Sequence, residues 1–211
     1  RSDLHFLHDW KINNQWSTNL EYNYASDKDY FADFNNNPNT RTDLNLRRAW
    51  ELNYRNGIPG LKAQLKVEDF QTLDQSIKDA DKPYARLPQF LLNYVGGNPQ
   101  GLQYEFNNDT AYFKKSITDG SALESSGTRI YNQFAVRYNY LTPSWFYAIP
   151  EISVRSINTF YDQDSKEGRD LSISDDLEKS VAVPQFSFAT GVTFEKEGKY
   201  LQSISPRAFY A

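Results

Sequence analysis

The sequence predicts an all-β protein: an antiparallel transmembrane β-barrel segment of about ten strands, part of a larger barrel. The first observation is period-2 alternation. In Trp16–Tyr24, the even residues Thr18, Leu20, Tyr22 and Tyr24 are apolar or amphipathic, and the odd residues between them are polar. That is the pattern of a strand with one apolar and one wet face. The second is that short Asn/Gly/Pro turns alternate with long polar segments, as in barrel hairpins. The third is the 16% aromatic content, concentrated on the apolar faces although the mean hydropathy is only -0.74. A disordered polar chain is poor in such residues.

Taken in order, the first strand runs Asp3–Ile12, with Leu4, Phe6, Trp10 and Ile12 apolar, and closes at Asn13-Asn14-Gln15. The second, Trp16–Ala25, leads into the polar excursion Ser26–Thr40. The third, Arg41–Arg55, puts Leu44, Leu46, Trp50, Leu52 and Tyr54 on one face. Asn56-Gly57-Ile58-Pro59-Gly60 follows, where Gly and Pro supply the backbone angles a tight turn requires. Strand four carries Leu61, Ala63, Leu65 and Val67 before the loop Phe70–Ala85. Strand five shows Pro88, Phe90, Leu92 and Tyr94, and turns at Gly96-Gly97-Asn98-Pro99.

Strand six carries Leu102, Tyr104, Phe106 and Tyr112, then the loop Lys114–Gly127. Strand seven carries Ile130, Phe134, Val136, Tyr138 and Tyr140, with a tight connection around Leu141–Trp145. Strand eight, Phe146–Phe160, precedes the acidic loop Tyr161–Lys179. Strands nine (Val181–Phe194) and ten (Tyr200–Tyr210) are joined by Glu195–Lys199. Hairpin connections make such a run antiparallel and put the long loops on one common side. The chain has no initiator Met or signal peptide and ends within an apparent strand, so residues 1–211 read as a piece of something longer.

The opposite faces carry Glu21, Arg47, Glu51, Lys62, Lys66, Glu68, Glu105, Arg129, Arg137, Arg155 and Arg207, both signs interspersed. That suits a hydrated lumen or a polar plug. A secreted β-sandwich or solenoid with one wet face is the soluble alternative. Arg48 breaks the pattern, falling between Leu46 and Trp50 on the apolar face; a bulge at Arg47-Arg48 would turn it inward.

Function classes are excluded more readily than chosen. A net charge of -4 and pI near 5.3 argue against nucleic acid. No Cys means no disulfide or thiolate metal site, and no apolar run reaches the roughly 18 residues of a transmembrane helix. His5 and His8, with Asp3 and Asp9 nearby, would suggest acid/base chemistry, but along a strand they point to opposite faces. The acidic residues Asp162, Asp164, Asp175 and Asp176 lack EF-hand spacing. The expectation is no enzyme, no catalytic, cofactor-binding or metal-ligating residue, and no cofactor.

Four segments then become recognisable: Arg86-Leu87-Pro88-Gln89-Phe90, Val183-Pro184-Gln185-Phe186, Ile204-Ser205-Pro206-Arg207-Ala208-Phe209-Tyr210, and Asp27-Lys28-Asp29-Tyr30-Phe31-Ala32-Asp33-Phe34. In order and spacing they resemble the LptD family of lipopolysaccharide-assembly proteins across nearly the whole chain. Asn132-Gln133-Phe134 departs from it, standing where another Pro-containing segment is expected.

The resemblance implies an outer-membrane barrel of a Gram-negative bacterium, with a periplasmic jellyroll ahead of it. Such a barrel receives lipopolysaccharide from periplasmic bridge proteins and releases it through a seam between its first and last strands. The lipoprotein LptE plugs its lumen. Residues 1–211 would then be early-to-middle strands, without the jellyroll, the gate or the closing strands. Another outer-membrane barrel, a passive porin or a ten-stranded protease, is the alternative. The Pro residues themselves are expected to end strands or set register.

Overall fold

The computed structural model describes residues 2–26, 45–74, 76–115, 117, 125–141, 145–162, 177–196 and 202–211. Thirteen strands and one 3-10 turn (Asp79–Asp81) account for the regular structure among them. They are β1 (Asp3–Lys11), β2 (Trp16–Ala25), β3 (Asn45–Tyr54), β4 (Leu61–Thr72), β5 (Ala85–Gly97), β6 (Leu102–Lys115) and β7 (Ser125–Tyr138). The series continues with β8 (Tyr140–Leu141), β9 (Phe146–Tyr161), β10 (Glu178–Val192), β11 (Phe194–Lys196), β12 (Gln202–Ile204) and β13 (Arg207–Tyr210).

Neighbours in sequence are neighbours in space. One sheet runs β1-β2-β3-β4-β5-β6-β7-β9-β10-β13, with β8 beside β9, and every pairing is antiparallel. The sheet is open: β1 and β13 do not pair.

Register fixes which residues share a face. One row runs Phe6, Tyr22, Arg48, Asp69; the next runs Leu7, Glu21, Ala49, Glu68 on the other face. The aromatics Trp16, Tyr22, Tyr24, Trp50 and Tyr54 therefore share a face, opposite Glu21, Asn23 and Glu51. Farther along, Tyr94, Phe106, Phe134, Val154 and Pro184 form one cross-strand row of the same apolar face. Among the described residues nothing packs over that face: Phe6, Trp10, Phe134, Ile152 and Phe186 are all exposed, Ile152 at 62%. The buried apolar residues are mostly alanines, such as Ala49, Ala111 and Ala135, set between charged neighbours on the polar face. A β-sandwich would cover one face with a second sheet, and the second sheet among the described residues is only the two-stranded pair β11–β12.

Several expected boundaries move. Phe70, Gln71 and Thr72 belong to β4, not to a loop, because they continue the ladder with Asn45–Arg47. Likewise Lys114 and Lys115 pair with Ser126 and Ser125, and Glu178 and Lys179 pair with Phe160 and Thr159. Polar residues extend a strand wherever a partner strand satisfies the backbone, so loop-like composition misplaced these ends. The expected loop Ser26–Thr40 lies almost wholly outside the described residues, as do 163–176 of the acidic loop and Asp27–Phe34.

The single tenth strand is also corrected. Ser205-Pro206 interrupts it, leaving β12 paired with β11 and β13 paired with β10. The other prolines sit where no ladder donor is needed. Pro184 lies in β10 beyond the four residues that pair with β13, so one side of it is an edge. Pro150 falls between the stretch of β9 that pairs with β8 and the stretch that pairs with β7. Pro88 lies in a register shift between Arg86 and Gln89. Since Pro lacks an N–H, these are the places a sheet tolerates it.

Candidate functional site

The polar face is the candidate site, and the alternation that builds the sheet assembles it. All eleven charged residues expected there share that face, among them Glu21, Arg47, Glu68, Arg137, Arg155 and Arg207. Arg47 is the hub of β2–β4. Its Nη1 donates to Glu21 Oε2 at 2.6 Å, its Nη2 to Glu51 Oε1 at 2.8 Å and its Nε to Glu68 Oε1 at 2.7 Å. Glu68, whose side chain is only 6% exposed, also holds Lys66 Nζ and Arg86 Nη1, each at 3.2 Å. Three cations thus face three carboxylates. A near-buried carboxylate is tolerable only with such partners. Among the described residues no buried side-chain nitrogen or oxygen lacks one.

Amides carry the network sideways. Asn19 Nδ2 donates to Asp9 Oδ1 (2.5 Å), Asn53 Nδ2 to Asn19 Oδ1 (2.9 Å) and Gln64 Nε2 to Asn53 Oδ1 (2.8 Å), linking β1 through β4. A second ladder crosses β5–β7. Asn93 Nδ2 donates to Asn107 Oδ1 (2.6 Å), Asn107 Nδ2 to Glu105 Oε1 (2.7 Å) and Arg137 Nη2 to Glu105 Oε2 (2.8 Å). Between the ladders lies a groove of about 630 Å³, lined by Asn53, Lys62, Gln64, Asn93, Asn107 and Asp109 among others. Amides both donate and accept, so the groove suits water, sugar hydroxyls or polar protein surface. Lys62 lines it without an ion pair among the described residues.

Sequence reasoning missed one feature of this face. Ile157, Val181, Val183 and Phe209 also point to it, at the β9–β10–β13 flank, and all four are exposed. Alternation gave the phase of these residues, but the apolar patch they make only becomes visible when the strands are aligned. No grouping of His, Cys, Asp and Glu suited to a metal occurs among the described residues. His5 and His8 do lie on opposite faces: His5 Nδ1 contacts Asn23 Oδ1, while His8 stacks on Phe6. Asp162 accepts a hydrogen bond from the Tyr112 hydroxyl at 2.7 Å.

Arg48 stays on the apolar face. The ladder to β4 runs through Arg47 and Arg48 without a bulge, and the ladder to β2 ends at the pair Tyr22 and Arg48. The irregularity expected there occurs instead between β4 and β5.

No helix here is long and apolar enough to cross a membrane, which says nothing of strands. What the geometry defines is a class: an open antiparallel sheet with an uncovered aromatic face backed by a charge-laced one, the plan of a barrel wall. The comparisons make that class specific. The family model described as "LptD: LPS transport system D" matches residues 1–211, and the chain belongs to the LptD family.

It is 74% identical over 211 residues to the "LPS-assembly protein LptD" of Acinetobacter baumannii, covering 100% of this chain and 26% of that protein. To the protein of the same name in Acinetobacter baylyi it is 67% identical over 213 residues, with the same coverage. To that of Psychrobacter cryohalolentis it is 40% identical over 206 residues, covering 94% of this chain and 20% of that protein. The chain thus spans about a quarter of the length of the curated relatives it matches.

Proposed function

We propose that residues 1–211 form part of the wall of an outer-membrane translocon that assembles lipopolysaccharide into the outer leaflet of a Gram-negative bacterium. The observation that carries the reading is the two-faced sheet in a member of this family. An aromatic face with no protein over it is what a bilayer covers, and a face of paired charges and amides is what a hydrated lumen requires. The role is a wall, without covalent catalysis and without a cofactor. On this reading the segment is a partial barrel domain of early-to-middle strands, and the jellyroll that contacts the periplasmic bridge belongs to the rest of the parent protein.

The polar face then meets the cargo's sugars or a lumenal lipoprotein of the LptE kind. Its amide ladders favour such contacts, because they offer donors and acceptors without a strong net charge. A ten-stranded barrel complete within these residues would pair β1 with β13, and those edges are unpaired among the described residues.

Photo-cross-linkers placed in the full-length parent protein at Gln64 and Asn107, and at Leu65 as the contrast, test this in cells. Polar-face positions are expected to capture lipopolysaccharide or a lumenal protein, and Leu65 to capture neither the lumenal protein nor polar cargo. Identical adducts from both faces would contradict the assignment.

A further inference from the structure

The apolar face carries one arginine whose arrangement a wall does not require. Arg48 lies opposite Tyr22, with its Cζ 5.2 Å from that ring's centroid and 5.6 Å from that of Tyr24. Its Nε donates to Asn23 O at 3.0 Å and its Nη2 to Gln71 Oε1 at 2.6 Å. Gln71 is itself fixed, donating from Nε2 to Ala25 O (2.7 Å) and accepting from Ala25 N (3.2 Å). One edge of the guanidinium is therefore held by the protein. Nη1 has no hydrogen-bond partner, and no carboxylate pairs with Arg48 among the described residues. Asp69, its cross-strand neighbour, makes no ion pair with it.

Depth gives this cation a meaning. Arg48 is eight residues along β3 from Asn56 at the short turn. At about 3.3 Å per residue and a tilt near 40°, that is about 20 Å above the turn. The outward apolar band of such barrels is about 25 Å tall. Between Arg48 and the turn the outward residues of β3 are Trp50, Leu52 and Tyr54, and those of β4 are Val67, Leu65, Ala63 and Leu61, all apolar or aromatic. Asn108 stands eight residues from Gln100 on β6, and donates to Asn132 Oδ1 at 2.8 Å across to β7. Polar side chains enter the apolar face elsewhere too, at Asn108, at Asn132 and, nearer a short turn, at His8. Arg48 itself, about 20 Å above its turn, stands in the upper part of that band.

We propose that Arg48, positioned by Gln71 and flanked by Tyr22 and Tyr24, binds the phosphate of a lipid headgroup in the outer leaflet. The proposal rests on the reading that the apolar face meets lipid. A guanidinium presents a planar fork that matches phosphate, and with the Tyr rings on one side its unused Nη1 edge is available to an anion. A phosphate borne on acyl chains satisfies both features, because its chains lie along the apolar residues below. Asp69 opposes the anion, and that provides a second handle.

The test uses the full-length parent protein in nanodiscs of phosphatidylcholine containing a few per cent phosphatidic acid, with lipids retained after mild extraction counted by native mass spectrometry. Wild type is expected to retain one more phosphatidic acid than R48Q, with at least a fivefold weaker constant in the variant. R48K should be intermediate, and D69N should bind several-fold more tightly than wild type. Diacylglycerol should not be retained, and millimolar inorganic phosphate should not displace the lipid.

Equal retention by R48Q and wild type, or no gain in D69N, overturns the proposal. Displacement by inorganic phosphate overturns the lipid assignment. A spin label at Leu65 separates the two failures. If Leu65 is quenched from the lipid and R48Q changes nothing, only the Arg48 site fails. If Leu65 is not quenched, the membrane reading beneath it fails.

Discussion

Replacing Arg47 with Met keeps an unbranched apolar stem and removes the charge that three carboxylates share. Two of those partners, Glu21 and Glu51, are 29% and 23% exposed at the side chain, so their ion pairs contribute about 0.2–1 kcal/mol each. Glu68 is different, at 6%. Stripping a buried charge of its partner costs about 3–5 kcal/mol, and the Lys66 and Arg86 contacts at 3.2 Å reduce that to about 2 kcal/mol. The expected loss for R47M is therefore about 3 kcal/mol, summed from those ranges.

Glu68 also partners Lys66, so E68Q alone is destabilising, and R47M/E68Q should lose about 1 kcal/mol less than the sum of the two single variants. Urea unfolding of the full-length parent protein in lipid vesicles, followed by Trp fluorescence, measures both. A loss below about 1 kcal/mol for R47M, or strictly additive losses in the double variant, would refute the claim that Glu68 depends on Arg47.

Three further outcomes follow from the same geometry. Leu65→Arg on the apolar face should cost about 2–4 kcal/mol in bilayers, while Gln64→Arg, one residue away on the polar face, should cost under about 1 kcal/mol; equal costs would mean the faces are misassigned. Gly60→Ala should destabilise the short β3–β4 turn markedly, because Gly60 has φ +77° and an added Cβ would collide with Val95 O; unchanged unfolding would contradict that turn. Epitope tags placed in each of the four long connections, 27–44, 73–84, 116–124 and 163–176, should all be reachable on intact cells, and a tag reached only after permeabilisation would show a miscounted strand.

The phase of the strands was legible because alternation is a local property. Trp16 to Tyr24 sets it without any partner, and the charges from Glu21 to Arg207 follow it onto one face. Strand ends were less legible, because Lys114 and Glu178 read as loop and become strand only when Ser126 and Phe160 supply the ladder. The break at Pro206 was foreshadowed by the residue type, yet the pairing of β13 with β10 is a long-range choice that no local pattern encodes. The same holds for the Arg47 hub. Arg47, Glu21, Glu51 and Glu68 were each placed on the polar face, but only register brings all three carboxylates within 2.8 Å of one guanidinium. Arg48 was seen as the anomaly, and the structure gives it two rings and an amide instead of a bulge.

The central claim, that one face of this sheet meets lipid and the other water, is tested most directly by spin labels at the adjacent residues Tyr22 and Glu21 of the full-length parent protein in bilayers. A lipid-soluble relaxation agent should quench the label at Tyr22 strongly and the one at Glu21 weakly, and a water-soluble nickel chelate should reverse that order. Equal responses at the two positions would contradict the account and favour a soluble sheet with a covered face.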